Sequence, residues 1–138
     1  MKNITIHTDG GARGNPGPAA SAFVVEEGTE ILFKGSKYLG TATNNVAEYK
    51  GVILALEWLV GEQSKGTVFN IIFYLDSELV VKQINGVYKV KDENLKILHQ
   101  QISKVLQSYP SKILFKNIPR SQNTIADGLV NSELDNNI

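Results

Sequence analysis

The chain contains no cysteine among its 138 residues. That excludes disulfides and thiolate-bound metals, and it fits a reducing, cytoplasmic compartment. No apolar run approaches the roughly 20 residues that a membrane-spanning helix needs. Nor does a basic segment followed by an apolar one mark an N-terminal secretion signal. Internal repeats and low-complexity linkers are missing as well. The net charge is zero, from 14 basic and 14 acidic residues, which counts mildly against a generic nucleic-acid binder. The objection weakens if four of the acids hold two divalent cations, because four positive charges are then added to a neutral chain. What remains is 42% hydrophobic and 20% charged, ordinary for a globular protein. A single domain over residues 1–138 with a sizeable core is expected. With no extended apolar surface implied, it should be a monomer without an obligate protein partner.

The first strand-like run, Ile4-Thr5-Ile6-His7-Thr8, ends on Asp9 and a turn dense in glycine and proline, Gly10-Gly11-Ala12-Arg13-Gly14-Asn15-Pro16-Gly17-Pro18. Ala20–Val25 and Glu30–Gly35, extending toward Leu39, read as two further strands around a Glu26–Thr29 hairpin loop, giving an antiparallel meander. Thr43 is the expected N-cap of a helix from Val46 to about Val60. Gly61–Gly66 reads as loop, and Thr67–Leu75 as a central strand covered on both faces. A short helix, about Glu78–Asn85, should stop at Gly86. Asp92 should cap a longer helix with Leu95, Leu98, Ile102 and Val105 on its apolar stripe, ending near Pro110. Lys112–Ile118 reads as the last strand, and a closing helix from Asn123 to Glu133 should bury Ile125, Leu129 and Val130. Residues 134–138 are expected to fray. The order β-β-β-α-β-α-α-β-α implies an α/β fold: a five-stranded mixed sheet, antiparallel meander plus parallel strands, flanked by helices on both faces.

Four acids fall at costly places. Asp9 and Asp76 both stand where an extended apolar run gives way, and neighbouring parallel strands would bring their carboxyl ends together, where α/β sheets bind ligands. Glu48 shares a helical line with Val52, Ala55 and Leu59, so it faces the core, where an unpaired carboxylate is expensive. Asp127 follows Asn123 by one turn in the last helix. Taken singly, each has a plain explanation: an Asp-Gly turn, a helix N-cap, a partner for the helix dipole, a solvated surface acid. Together they repel unless cations lie among them. Hard oxygen ligands, without cysteine or a suitably spaced histidine pair, favour Mg²⁺ or Mn²⁺ over Zn²⁺.

Four segments then occur in a telling order: Thr8-Asp9-Gly10-Gly11 with Asn15-Pro16-Gly17, Thr43-Asn44-Asn45-Val46-Ala47-Glu48, Asp76-Ser77, and Asn123-Thr124-Ile125-Ala126-Asp127. In these the chain resembles type 1 ribonuclease H, over residues 4 to about 133. The resemblance implies the ribonuclease H-like fold and cleavage of the RNA strand of an RNA–DNA hybrid, leaving 5′-phosphate and 3′-hydroxyl ends. It makes Asp9, Glu48, Asp76 and Asp127 the catalytic, metal-binding carboxylates for two Mg²⁺ ions, with Mn²⁺ as the alternative. It also implies minor-groove contacts from Asn15, Asn44 and Asn45, with backbone exposed at Gly10 and Gly11 for the same purpose, and a DNA-strand phosphate at Thr43.

Two departures from that pattern stand out. The basic helical protrusion of larger members is missing, since Val87–Asp92 runs straight into the next helix; Lys82, Lys89, Lys91 and Lys96 are a modest substitute. Binding should therefore be weak and strongly salt-dependent. The histidine that many members carry in the loop before the last helix is also missing; Arg120 stands in that loop and resembles the arginine of some short members, for phosphate contact or product release. His7 and His99 read as structural or surface groups. Rival readings are a binding module of the same fold with little catalysis, and a related nuclease acting on double-stranded RNA or branched DNA.

Overall fold

A computed structural model describes residues 1–138. Three antiparallel strands open the chain, β1 (Lys2–Ala12), β2 (Gly17–Glu27) and β3 (Glu30–Ala42). Both β1 and β2 are longer than their apolar runs imply. Pairing continues through Gly10↔Ser21 and Ala12↔Ala19, so most of the glycine-rich stretch is ladder, and only residues 13–16 turn. The β2–β3 connection shrinks to Gly28 and Thr29, with Gly28 at φ 61°, the left-handed geometry that tight hairpins require.

Helix α1 (Asn44–Ser64) runs through Gly61 into the expected loop. Then come β4 (Phe69–Leu75), α2 (Glu78–Ile84), α3 (Glu93–Ser108), β5 (Ile113–Asn117), a 3₁₀ turn at Arg120–Gln122, and α4 (Thr124–Asn137). The caps are local hydrogen bonds. Thr43 Oγ1 accepts from the Val46 N–H at 3.2 Å and Asp92 Oδ1 from the Leu95 N–H at 3.0 Å. Ser77, not Asp76, caps α2, accepting from the Val80 N–H at 3.3 Å. The Asp76 carboxylate is thus not used as a cap.

The sheet order is β3-β2-β1-β4-β5, antiparallel across β1–β3 and parallel across β1–β4–β5. Side-chain alternation separates two apolar layers. Phe23 and Val25 join the main core with Tyr49, Val52, Leu56 and Leu59 of α1, Val80 of α2, and Leu95 and Ile102 of α3. Ala20 and Ala22 point the other way, against Val130 and Leu134 of α4.

The packing corrects three further sequence expectations. First, β4 is fully buried on one face only: Phe69, Ile71, Phe73 and Leu75 are buried, whereas Asn70 is exposed and Ile72 and Tyr74 are half-buried. The reason is that α4 lies over β1, β2 and β3. Second, α4 does not bury Ile125, which is 43% exposed; Ala126, Val130 and Leu134 are the inward residues. Third, residues 134–137 do not fray, since the helix continues to Asn137 and Leu134 is 2% exposed. Replacement of Leu134 by alanine is therefore expected to cost about 2–3 kcal/mol in urea unfolding; a frayed end would lose almost nothing.

Two close approaches fix α1 on β1. A Cβ at Gly10 would lie 2.2 Å from the Ala47 carbonyl carbon, and one at Gly51 would lie 2.7 Å from the Asp9 carbonyl oxygen. Backbone cannot yield there as a flexible side chain can. Gly51→Ala is expected to lower stability by about 1–3 kcal/mol, measurable by calorimetry.

Candidate metal centre

The β1–β4 register pairs His7 with Tyr74; carried two residues further, the same offset sets Asp9 level with Asp76. Asp9 lies within β1 and Asp76 directly follows β4. Glu48 comes from the second turn of α1, held against β1 by the two glycine contacts. One carboxylate oxygen from each of Asp9, Glu48 and Asp76 lies within 4.8 Å of the others. Asp9 and Glu48 are buried, and Asp76 is half-buried.

Asp127 is not part of this trio. It lines the same cavity of about 380 Å³ beside Asp9, whose carboxyl its charge and hydrogen bond help to raise, and its oxygens meet two further partners. Arg120 Nη2 stands 3.5 Å from Oδ1, and the Asn131 Nδ2–H donates to Oδ2 at 3.4 Å.

Electrostatics indicate what the trio lacks. Burial, then the neighbouring Asp76 charge, pushes the Asp9 carboxyl up to about 7. Burial, followed by the charges of Asp9 and Asp76, lifts Glu48 well above the usual carboxylate range. Glu48 Oε2 is buried without any hydrogen-bond partner. A buried carboxylate oxygen left bare, beside two more acids, suits a hard divalent cation coordinated by oxygen. The histidines stand elsewhere, as their sequence context implies. His7 lies 3.4 Å from Glu26, with its ring's affinity for protons lowered by burial. His99 Nε2 sits 3.0 Å from the Gln83 carbonyl oxygen.

The remaining expected residues surround the trio with different standing. Asn44 Oδ1 accepts from the Ala12 N–H at 2.8 Å, and Asn15 Oδ1 accepts from the Asn44 N–H at 3.0 Å. These bonds lock the turn after β1 to the start of α1. Asn45 and Thr43 are exposed. Gly10 is explained by its contact with α1, whereas a Cβ at Gly11 would meet only Val130 at 3.9 Å. Arg120 is 83% exposed on its 3₁₀ turn. Lys82 and Lys96 pair with Glu78 and Glu93 at 2.9 and 3.2 Å, so they are poor replacements for a basic protrusion.

Two residues of the site went unassigned from sequence. Asn123 is 1% exposed, and its Nδ2–H donates to the Thr8 carbonyl at 2.9 Å and to Asp76 Oδ2 at 3.3 Å. It thereby ties the end of β1 to the end of β4. No periodicity marks it, because it precedes its helix and bonds to positions remote in the chain. Arg13, inside the glycine-rich turn, lines the cavity; the turn's sequence gives it no role of its own.

A family model described as reverse transcriptase-like matches residues 7–133. The crystal structure of LC11-RNase H1 in complex with an RNA/DNA hybrid superposes with a TM-score of 0.91 at 43% identity, covering 97% of this chain and 98% of that one. The chain belongs to the ribonuclease H family. Its relatives include bifunctional protein Rv2228c of Mycobacterium tuberculosis, 40% identical over 134 residues, which are 96% of this chain and 35% of that protein. Ribonuclease HI of Halobacterium salinarum is 36% identical over 133 residues, 96% of this chain and 64% of that protein. The chain thus spans about a third of the length of the mycobacterial relatives it matches. The N-terminal RNase H domain of the mycobacterial protein superposes with a TM-score of 0.88 at 37% identity, covering 99% of this chain and 96% of that one.

The raised Asp9 carboxyl predicts a pH effect of definite sign. Its folded value of about 7 lies above the unfolded 3.8, so the folded state holds the extra proton and stability falls as pH rises between them. In chelator, thermal unfolding of the protein is expected at a lower temperature near pH 8 than near pH 5. Mn²⁺ should raise the midpoint more at the higher pH, because its ligands must be deprotonated. A flat metal-free profile would contradict the assignment.

Proposed function

We propose that this protein hydrolyses the RNA strand of RNA–DNA hybrids with two divalent cations, Mg²⁺ or Mn²⁺, held by Asp9, Glu48, Asp76 and Asp127. The observation that carries the reading is the convergence of three carboxylates from β1, α1 and the end of β4 within 4.8 Å. A similar protein was solved with such a hybrid bound, which supports the substrate class. Divalent ions held there would supply a water-derived nucleophile and charge stabilisation for the departing 3′ oxygen. Products would carry 5′-phosphate and 3′-hydroxyl ends.

The chain's own residues do the positioning. Asp9 and Asp76, set level by parallel pairing, form the floor. Glu48 closes one side from α1, and Asn123 orients Asp76 through its 3.3 Å bond. Asn15 and Asn44 spend their carboxamide oxygens on backbone N–H groups. Their NH₂ groups, with the side chain of Asn45, serve as donors to 2′-hydroxyls, which distinguish RNA from DNA. Thr43 keeps its cap bond and contacts a phosphate of the DNA strand. Asp127 stands beside Asp9, where it would complete the ligand set, and the exposed Arg120 beside it serves as a phosphate contact.

Labelled RNA–DNA hybrid, double-stranded RNA and a four-way DNA junction, incubated with Mg²⁺, Mn²⁺ or chelator, test the reading. Cutting of the hybrid's RNA strand alone, in either metal and not in chelator, is the expected result. Binding without cutting would select a binding module instead, and junction cleavage a resolvase-like nuclease. Asp9→Asn and Asp76→Asn should each lower kcat by about a hundredfold or more with the fold retained. Asp127→Asn, outside the trio, should cost less. Substantial Mg²⁺-supported cutting by Asp9→Asn would remove the basis of the metal assignment.

A further inference from the structure

Arg13 stands four residues beyond Asp9, in the turn between β1 and β2, and its side chain lines the same cavity as the carboxylates. Its backbone is firmly held. The Arg13 N–H donates to the Pro18 carbonyl at 2.8 Å, and the preceding Ala12 N–H donates to Asn44 Oδ1 at 2.8 Å. The guanidinium is therefore carried on a fixed base. Nη2 lies 2.7 Å from Asp135 Oδ1 and 3.4 Å from the Asn131 carbonyl oxygen. Both partners belong to α4, in or beside the stretch that stays helical past Glu133.

This pair is exposed, 43% for the arginine side chain and 66% for the aspartate. Ion pairs so open to water contribute little to stability. Arginine binds phosphate oxygens through a planar fork with charge-assisted bonds, so a phosphate can displace so weak a carboxylate partner. Arg13 and Arg120 are the two cations lining the cavity, and Arg120 already faces Asp127. About 13 Å of extended chain separates the Cα atoms of Asp9 and Arg13, so a phosphate next to the scissile one is within reach of the guanidinium.

We infer that Arg13 is a substrate-binding residue for an RNA-strand phosphate flanking the cut, and that Asp135 competes with that phosphate for the same guanidinium. The inference rests on the hybrid-cleaving reading above for its substrate, but it concerns binding and is tested by binding. Asp135 then has two effects that act in the same direction: it occupies Arg13, and its negative charge repels the approaching backbone.

The test uses full-length protein carrying Asp76→Asn, so that hybrid is not consumed, with fluorescence anisotropy of a labelled RNA–DNA hybrid in Mg²⁺ across a salt series. Arg13→Ala should weaken affinity by about threefold to tenfold and reduce the steepness of log affinity against log salt by about one. Arg13→Lys should recover part of the affinity, as a point charge without the fork. Asp135→Asn should tighten binding by about twofold to fivefold, and this gain should shrink in the Arg13→Ala background to what the loss of the Asp135 charge alone supplies, since the larger part acts through one contact. In cleaving protein the same changes should move KM and leave kcat within about twofold. Thermal midpoints should stay close to the parent's, because the pair is exposed.

Unchanged affinity and salt slope in Arg13→Ala would overturn the inference. So would equal weakening by Arg13→Ala and Asp135→Asn, which would make the pair a brace for α4. If Asp76-intact protein cut no hybrid while Arg13 still governed its binding, the catalytic reading would fail and this one would stand. Absence of any hybrid binding would end both.

Discussion

The contact on which the rest depends is backbone against backbone. Helix α1 lies so close on β1 that neither Gly10 nor Gly51 has room for a Cβ. Only this approach lets Glu48 reach the floor made by Asp9 and Asp76, because a carboxylate on an α-helix extends only a few ångströms beyond its Cα. The buried Ser21 hydroxyl, donating to the Ala47 carbonyl at 2.6 Å, strengthens the same seam from β2. Separation of the seam by the thickness of one methyl group would open the trio.

That seam brings like charges together, which is unfavourable in the protein alone. The main core offsets it: Ile6, Tyr49, Val52, Leu56, Leu59 and Phe73 are essentially inaccessible to water. The Tyr49 hydroxyl donates to Gln83 Oε1 at 2.6 Å, so α1 and α2 are joined by a satisfied polar contact inside the apolar layer. Burial and repulsion raise the proton affinity of Asp9 and Glu48, and a cation relieves both effects at once. Folding energy is thus held at the centre in a form that metal binding can recover.

The perimeter is looser. Asp127 is held by Arg120 and Asn131, and Arg13 by Asp135, all across solvent-exposed contacts. The floor is built on strands and a packed helix, whereas the perimeter is built on a turn, a 3₁₀ segment and α4. A rigid centre with exchangeable polar contacts around it suits the proposed function, in which the site would admit and release a long polyanion.

Much of this was legible in the chain. The element order, the mixed sheet and the caps at Thr43 and Asp92 follow from apolar spacing and from side chains that bond their own neighbours. Asp9, Asp76 and Glu48 could be singled out because each breaks a local rule, an acid where the pattern demands an apolar residue or a turn. Tertiary structure decided what depends on other segments. The glycine-rich stretch pairs as strand because β2 lies alongside it. Residues 134–137 remain helical because Leu134 meets Ala20 and Ala22. Asn123 and Arg13 gain their roles from partners in remote segments. Sequence determines short-range geometry and the position of each costly charge; which remote groups meet that charge is set by packing, since the deciding contacts join residues the chain itself keeps far apart.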